Sequence, residues 1–440
     1  MKSFYIIVII LFLNSCSFDN KTGIWNNENE VSIKEKKIFS DFKNISSTRE
    51  KFNKKIDLDI NYKFKNNRLV STLEWRDIYY SEENNLENFK YDNQNKKIFK
   101  GKKISRYKTS EHILFFENNI ITSDTKGNVM VFSVSENKTI FKYNFYKKKN
   151  KNIDKHLNLI IEKNIIYISD NLGFIYALDI KKKNILWAKN YKIPFRSNTK
   201  ITSNKIILAN QNNSIYFLNK SNGELLSTIP TEESSIKQDF INNFSLNKDT
   251  LLFLNTYGSL YSLNINTMRI NWFINLNQSI DINPSNLFKS NQIIISKNKV
   301  FVPTNENFYV LDLSNGSIIF KKDFSSILKP LILNNIFIAV ENDLLIATDL
   351  NSGKIIFSYD INQKISKFLN TKKKKVELKR LMFADNKIFI FLKNSYVVKF
   401  NLNGTVDSIN KLPEKINSYP IIIDSSLVYL NKKNEIIVVN

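Results

Sequence analysis

The 440-residue chain has little of what staples, bends or arms a protein: one cysteine, seven prolines, nine glycines and two histidines. A single thiol cannot close an intrachain disulfide, so the fold must hold without one. His112 and His156 are the only imidazoles, and no H-E-x-x-H, C-x-x-C, G-x-S-x-G or phosphate-loop string occurs. That leaves little from which to build a metal centre or a nucleophilic site, so no catalytic residue and no cofactor is expected. Long apolar runs are also missing. The longest, Phe4–Leu13, has ten residues; as a helix it covers about 15 Å, half of a hydrocarbon core of roughly 30 Å.

What that run does fit is an export signal. Lys2 supplies the charged start, and Leu13-Asn14-Ser15-Cys16 reads as a lipoprotein cleavage box. Met1–Ser15 is therefore expected to be a signal peptide and Cys16 a lipidated amino terminus, held by acyl chains at roughly 0.8 kcal/mol per buried methylene. Ser17 follows, where bacterial lipoproteins kept in the inner membrane resemble one another in carrying Asp; that likeness favours the outer membrane, facing the periplasm. Residues 16–95, rich in Asn, Lys, Glu and Ser, read as a polar, flexible spacer with a short helix around Glu35–Phe42. Leu69–Trp75 and Asn84–Asn95 are its stretches able to lie against the domain that follows. The formal charge of +24 would ordinarily point to nucleic acid. Export argues against that partner. Lys and Asn are abundant throughout instead of clustering on one element, which reads as AT-rich coding bias as much as selection for a ligand, and a solvated basic surface facing anionic membrane components is the milder functional reading. The sharpest basic run is Lys372–Lys375.

From residue 96 onward the chain repeats. In Asn164–Trp187, apolar runs Ile165–Ser169 and Phe174–Leu178 flank the turn Asp170–Gly173, and a third run, Ile185–Trp187, follows a second polar turn. The polar residue ending the third strand of each unit recurs as Ser133, Asp179, Asn219, Asn264, Asp312, Asp349, Asn401 and Asn440. Eight units, spaced 37 to 52 residues apart with no helical periodicity, predict an all-β, eight-bladed propeller of four-stranded antiparallel blades over 96–440. Eight residues after the markers stand Phe141, Trp187, Trp272, Phe320 and Phe357, expected as wedges between neighbouring sheets. The last unit stops after three strands, so Ile98–Phe99 is expected to supply its missing outer strand and close the ring.

The pattern G/N-x-h-Y-x-L-D-x-x-x-G-x-x-x-W, seen at Gly173–Trp187, Gly258–Trp272 and Asn307–Phe320, resembles the quinoprotein-type propeller repeat. That repeat is shared by pyrroloquinoline-quinone (PQQ) dehydrogenases, which carry a vicinal cysteine pair and calcium-binding carboxylates in a central pocket, and by non-catalytic proteins. This sequence has no cysteine pair. Lipobox, polar spacer and one eight-bladed ring together resemble the BamB family, lipoprotein subunits of the outer-membrane β-barrel assembly machinery. The likeness implies a non-catalytic scaffold that docks on a POTRA domain of a BamA-like partner and helps unfolded outer-membrane clients. The family's L/P-x-R segment is matched by Pro194-Phe195-Arg196, and its acidic segment by Gln238-Asp239-Phe240-Ile241, in which Ile241 departs from D-x-D. Phe195, Arg196 and Asp239 are thus the expected partner-binding residues. The alternatives are a periplasmic PQQ-dependent dehydrogenase and a propeller binding cell-envelope polyanions.

Overall fold

The computed structural model describes residues 17–18, 25–26 and 52–440, apart from 147–149, 151, 234–242, 278–290 and 305. It divides into Met1–Glu50 and Lys51–Asn440. The first unit contributes one antiparallel pair, Ser17–Phe18 with Trp25–Asn26. The signal peptide, Cys16 and the helix expected around Glu35–Phe42 lie outside the described residues.

Lys51–Asn440 is built of eight antiparallel sheets in which consecutive strands are neighbours. The second blade shows the plan: Leu157–Glu162, Ile165–Asp170, Phe174–Asp179 and Asn184–Asn190, from the axis outward. Middle strands are covered on both faces by neighbouring blades, so they read as unbroken apolar runs; Ile336–Glu341 is buried along its whole length. Outer strands have one open face and alternate, as Asn184–Asn190 does. In the first seven blades a bulge shifts the register between third and fourth strands at the same place, for example at Ala177/Leu178 and Val310/Leu311.

Ring closure follows the expectation. Lys97–Lys103 pairs with Glu435–Val439, Phe99 opposite Val438, and so completes the last blade from the start of the domain. The Tyr419 N–H then donates to Glu111 O at 2.7 Å, joining the last blade to the first. The wedge residues also do what their spacing suggests. Trp187 lies over Gly223 in the next blade's turn and donates from Nε1 to Lys220 O at 3.2 Å; Trp272 repeats this with Gly316 and Leu313 O. A Cβ on Gly223 would come within 2.4 Å of the Trp187 ring, and φ there is +72°, so only glycine fits. The marker carboxylates cap their own turns: Asp179 accepts from the N–H groups of Lys181 and Lys182 at 2.9 Å, and Asp312 from Ser314 at 2.8 Å.

Two features depart from the plan. The seventh sheet has six strands, because Asn88–Phe89 and Leu69–Val70 add to its inner edge in parallel. The link between the sixth and seventh blades holds a helix, Ile361–Leu369. Asp360 caps it by accepting from Gln363 N, Asn370 ends it in the left-handed conformation, and Ile361 and Ile365 stand one turn apart on its inner side. Among the described residues no helix is long and apolar enough to cross a membrane.

Candidate partner-binding face and central channel

The first strands of the blades wall a central channel, and the links between blades open on one face of the ring. The channel is filled by the chain itself. Residues 72–92 make a circuit inside the ring and bond to blade after blade. Thr72 O accepts from Asp424 N (2.8 Å), and Trp75 exchanges backbone bonds with Phe115 (2.8 and 2.9 Å). Arg76 O accepts from Ile161 N, Glu82 O from Leu246 N, and Glu83 O from Ile295 N. Phe89 O accepts from Asp385 N, and Asp92 N donates to Ser425 O, which returns the circuit to the last blade. The remaining two blades are held by side chains: Lys200 Nζ donates to Ser81 O and Lys329 Nζ to Tyr79 O, both at 3.1 Å. Backbone donors that would otherwise face an empty bore are thereby satisfied.

The circuit is locked by buried polar and aromatic groups. Lys200, fully buried, places Nζ 2.7 Å from Asp77 Oδ2 and 2.8 Å from Asn84 Oδ1. Asn84, also fully buried, turns its Nδ2 to Phe244 O and Ile293 O at 2.7 and 2.8 Å. Trp75 and Phe89 are fully buried, with Tyr80 between them at 4.8 and 4.9 Å. The domain therefore starts well before residue 96, and the stretch 72–92 is core instead of spacer.

At the mouth of the channel on the loop face, His112 sits between Tyr419 and Tyr79, with ring centroids 4.9 and 5.7 Å away. Burial pushes its imidazole down to about 3, the Arg380 charge acts in the same direction, and Glu111 opposes. Arg380 lies over Trp75 and Tyr419 at 5.5 Å each and is itself pushed down to about 10 by burial. Burial, aided by Arg380, holds Lys329 well below its usual range. At the opposite end a polar cleft of about 690 Å³ opens between the circuit and the fifth to seventh blades, with Arg68, Glu83, Glu87, Lys297 and Phe383 among its walls. Among the described residues no group of three or more His, Cys, Asp or Glu could hold a metal ion. A quinone seated centrally would need the space that Trp75, Tyr79 and Asn84 occupy, so the residues present do not fit that cofactor.

Of the expected partner-binding residues, Phe195 is turned inward. It is 2% exposed, its N–H donates to Asp170 O at 2.9 Å, and its ring packs edge-on against Tyr191 and Tyr216 at 6.0 and 5.8 Å. An aromatic next to a proline in an inter-blade link reads like an interface anchor, but here the link turns the ring under the sheet. Arg196 follows on the loop face, half-buried, with its N–H on Ala209 O at 3.0 Å. Asp239 lies outside the described residues. Lys372–Lys375 is exposed on the same face, with Lys373 tied to Asp360 at 2.5 Å. Sequence reasoning missed the channel circuit, although five aromatics from Trp75 to Tyr91 in an otherwise polar stretch were a signal for it.

The family described as "Outer membrane protein assembly factor BamB" matches residues 154–359. In fold the chain is similar to BamB from Moraxella catarrhalis, at a TM-score of 0.62 and 13% identity over 78% of this chain and 99% of that one. It is also similar to a europium-containing methanol dehydrogenase, at a TM-score of 0.59 and 11% identity over 83% and 89% of the two chains. An uncharacterized protein of Rickettsia conorii is 24% identical over 61% of this chain and 67% of its own length. The chain is thus BamB-like in its repeat and in its fold.

Proposed function

We propose that this chain is a non-catalytic scaffold of outer-membrane assembly, anchored through Cys16 to the outer membrane, facing the periplasm and docking on the POTRA domain of a BamA-like partner. The observation that carries this reading is the filled channel. With residues 72–92 in the bore, the space in which a propeller dehydrogenase would hold its quinone is taken by Trp75, Tyr79 and Asn84, and the inter-blade loops and outer strands are left as working surfaces. The match of residues 154–359 to the assembly-factor family supports the same reading. Likeness to a methanol dehydrogenase is the argument for the alternative, and it concerns the propeller fold alone.

Docking would use Arg196 on the loop face, together with Asp239 of the acidic segment that the family resemblance assigns to the partner. A guanidinium offers a planar fork to a carboxylate or to backbone carbonyls. Unfolded clients would meet the outer strands, whose unpaired edges suit strand addition. Arg196→Glu is expected to remove co-purification of the BamA-like partner from detergent-solubilised membranes while the melting temperature stays within a few degrees; partner retained by the variant would remove this patch from the docking surface.

A further inference from the structure

The helix Ile361–Leu369 carries an apolar stripe that runs off the protein. Ile361 is 1% exposed and Ile365 packs against the core, but Phe368 and Leu369, which continue the same side, are 48% and 49% exposed. Lys367 and the loop Lys372–Lys375 stand beside them, all exposed, and among the described residues only Lys373 of these has a carboxylate partner. Two exposed apolar side chains ringed by cations are poorly matched to water. They are well matched to a bilayer interface, where the rings and methyls enter the headgroup region and the lysines meet anionic lipid.

A second, independent observation concerns where the rest of the chain is attached. Fifty-one residues precede Phe52. The chain joins the ring at this same corner: the Phe52 ring packs at a tilt against Phe324, centroids 5.4 Å apart, Ile56 pairs with Ser358 in the outer strand of the sixth blade, and Lys55 reaches Gln363 Oε1 at 3.1 Å in the first turn of the helix. An anchored amino-terminal segment would therefore draw the domain toward the membrane from beside Phe368.

We infer that the corner formed by Phe368, Leu369 and the Lys367 and Lys372–Lys375 side chains is a docking surface for an anionic lipid bilayer. It orients the tethered ring, and it goes beyond the scaffold reading, since its loss leaves Arg196 and partner docking untouched. The test uses the full chain with Cys16→Ser and an environment-sensitive fluorophore on Phe368→Cys, compared with the same label on Phe273→Cys, which is 65% exposed in the outer strand of the fourth blade. Both substitutions are at exposed positions, and circular dichroism confirms the fold. With vesicles of equimolar phosphatidylethanolamine and phosphatidylglycerol, the Phe368 label is expected to shift to the blue and the Phe273 label to stay unchanged. Phosphatidylcholine vesicles, or Lys372, Lys374 and Lys375 changed to Gln, should weaken the Phe368 response about tenfold or more, as should raising the salt to 1 M. No shift at Phe368, or equal shifts at both labels, would overturn the inference; the second pattern would mean that the amino-terminal segment alone brings the chain to the bilayer.

Discussion

Two stretches ahead of the repeats, residues 72–92 and Lys97–Lys103, lie only a few residues apart in sequence and at opposite radii of the ring. The inner one is fully surrounded: Trp75, Asn84 and Phe89 have no exposed surface, and the Lys200–Asp77 pair is sealed beneath it. The outer one completes the last blade with a half-exposed strand whose single buried residue is Gly101. Both hold the ring together, the outer by closing a sheet edge and the inner by tying the innermost strands to one hub. The difference is in what failure would leave behind. An outer strand that lets go exposes backbone to water, which can hydrogen-bond it; a hub that lets go leaves buried charge and unfilled volume.

That contrast can be broken by substitution. Trp75→Ala is expected to destabilise the domain by about 3–5 kcal/mol through the cavity it leaves, and Lys200→Ala by about 3–5 kcal/mol because Asp77 stays buried without its counter-ion. Phe99→Ala, in the closing strand, should cost about 1–2 kcal/mol, since its ring is only partly covered. Urea unfolding of the three variants ranks them; a closing-strand variant as damaging as the hub variants would erase the distinction.

A smaller effect sharpens it. His112 at the channel mouth has its pKa pushed down to about 3 against 6.5 for the free side chain, chiefly by burial, with Arg380 and Lys329 adding and Glu111 opposing. Between those values the unfolded chain binds a proton that the folded chain does not. Its contribution to stability is therefore complete above pH 6.5 and falls as pH drops from 6.5 toward 3, by about 1.4 kcal/mol per pH unit. Melting temperatures between pH 7 and 5 should decline in the parent, and less steeply in His112→Gln; equal slopes would place His112 in water.

How much of this was legible in the sequence follows from the same contrast. The closing strand could be read because a period was left incomplete at Asn440 and Ile98–Phe99 was the fragment able to finish it. The Trp187 and Trp272 wedges could be read because they recur at a fixed offset from the turn residues. The hub has no period. It touches a different blade every few residues, so its side chains answer to eight local environments and show neither alternation nor helical spacing. Polar composition then disguised it: Asn84 and Asp77 look like spacer residues and are buried because the strands around them present lone carbonyls and Lys200. The inward turn of Phe195 was hidden for a related reason, since a motif fixes its place in the link and not the direction of its ring. The helix Ile361–Leu369 was concealed within a lysine-rich link whose cap, Asp360, also ends an outer strand.

The most direct test of the account is hydrogen–deuterium exchange over residues 75–91. If these residues are the hub of the ring, their amides should be protected to the same degree as inner-strand peptides such as Leu378–Ala384, which they bond through Phe89. Exchange within seconds across that stretch, with the blades still protected, would show an open channel and contradict the account.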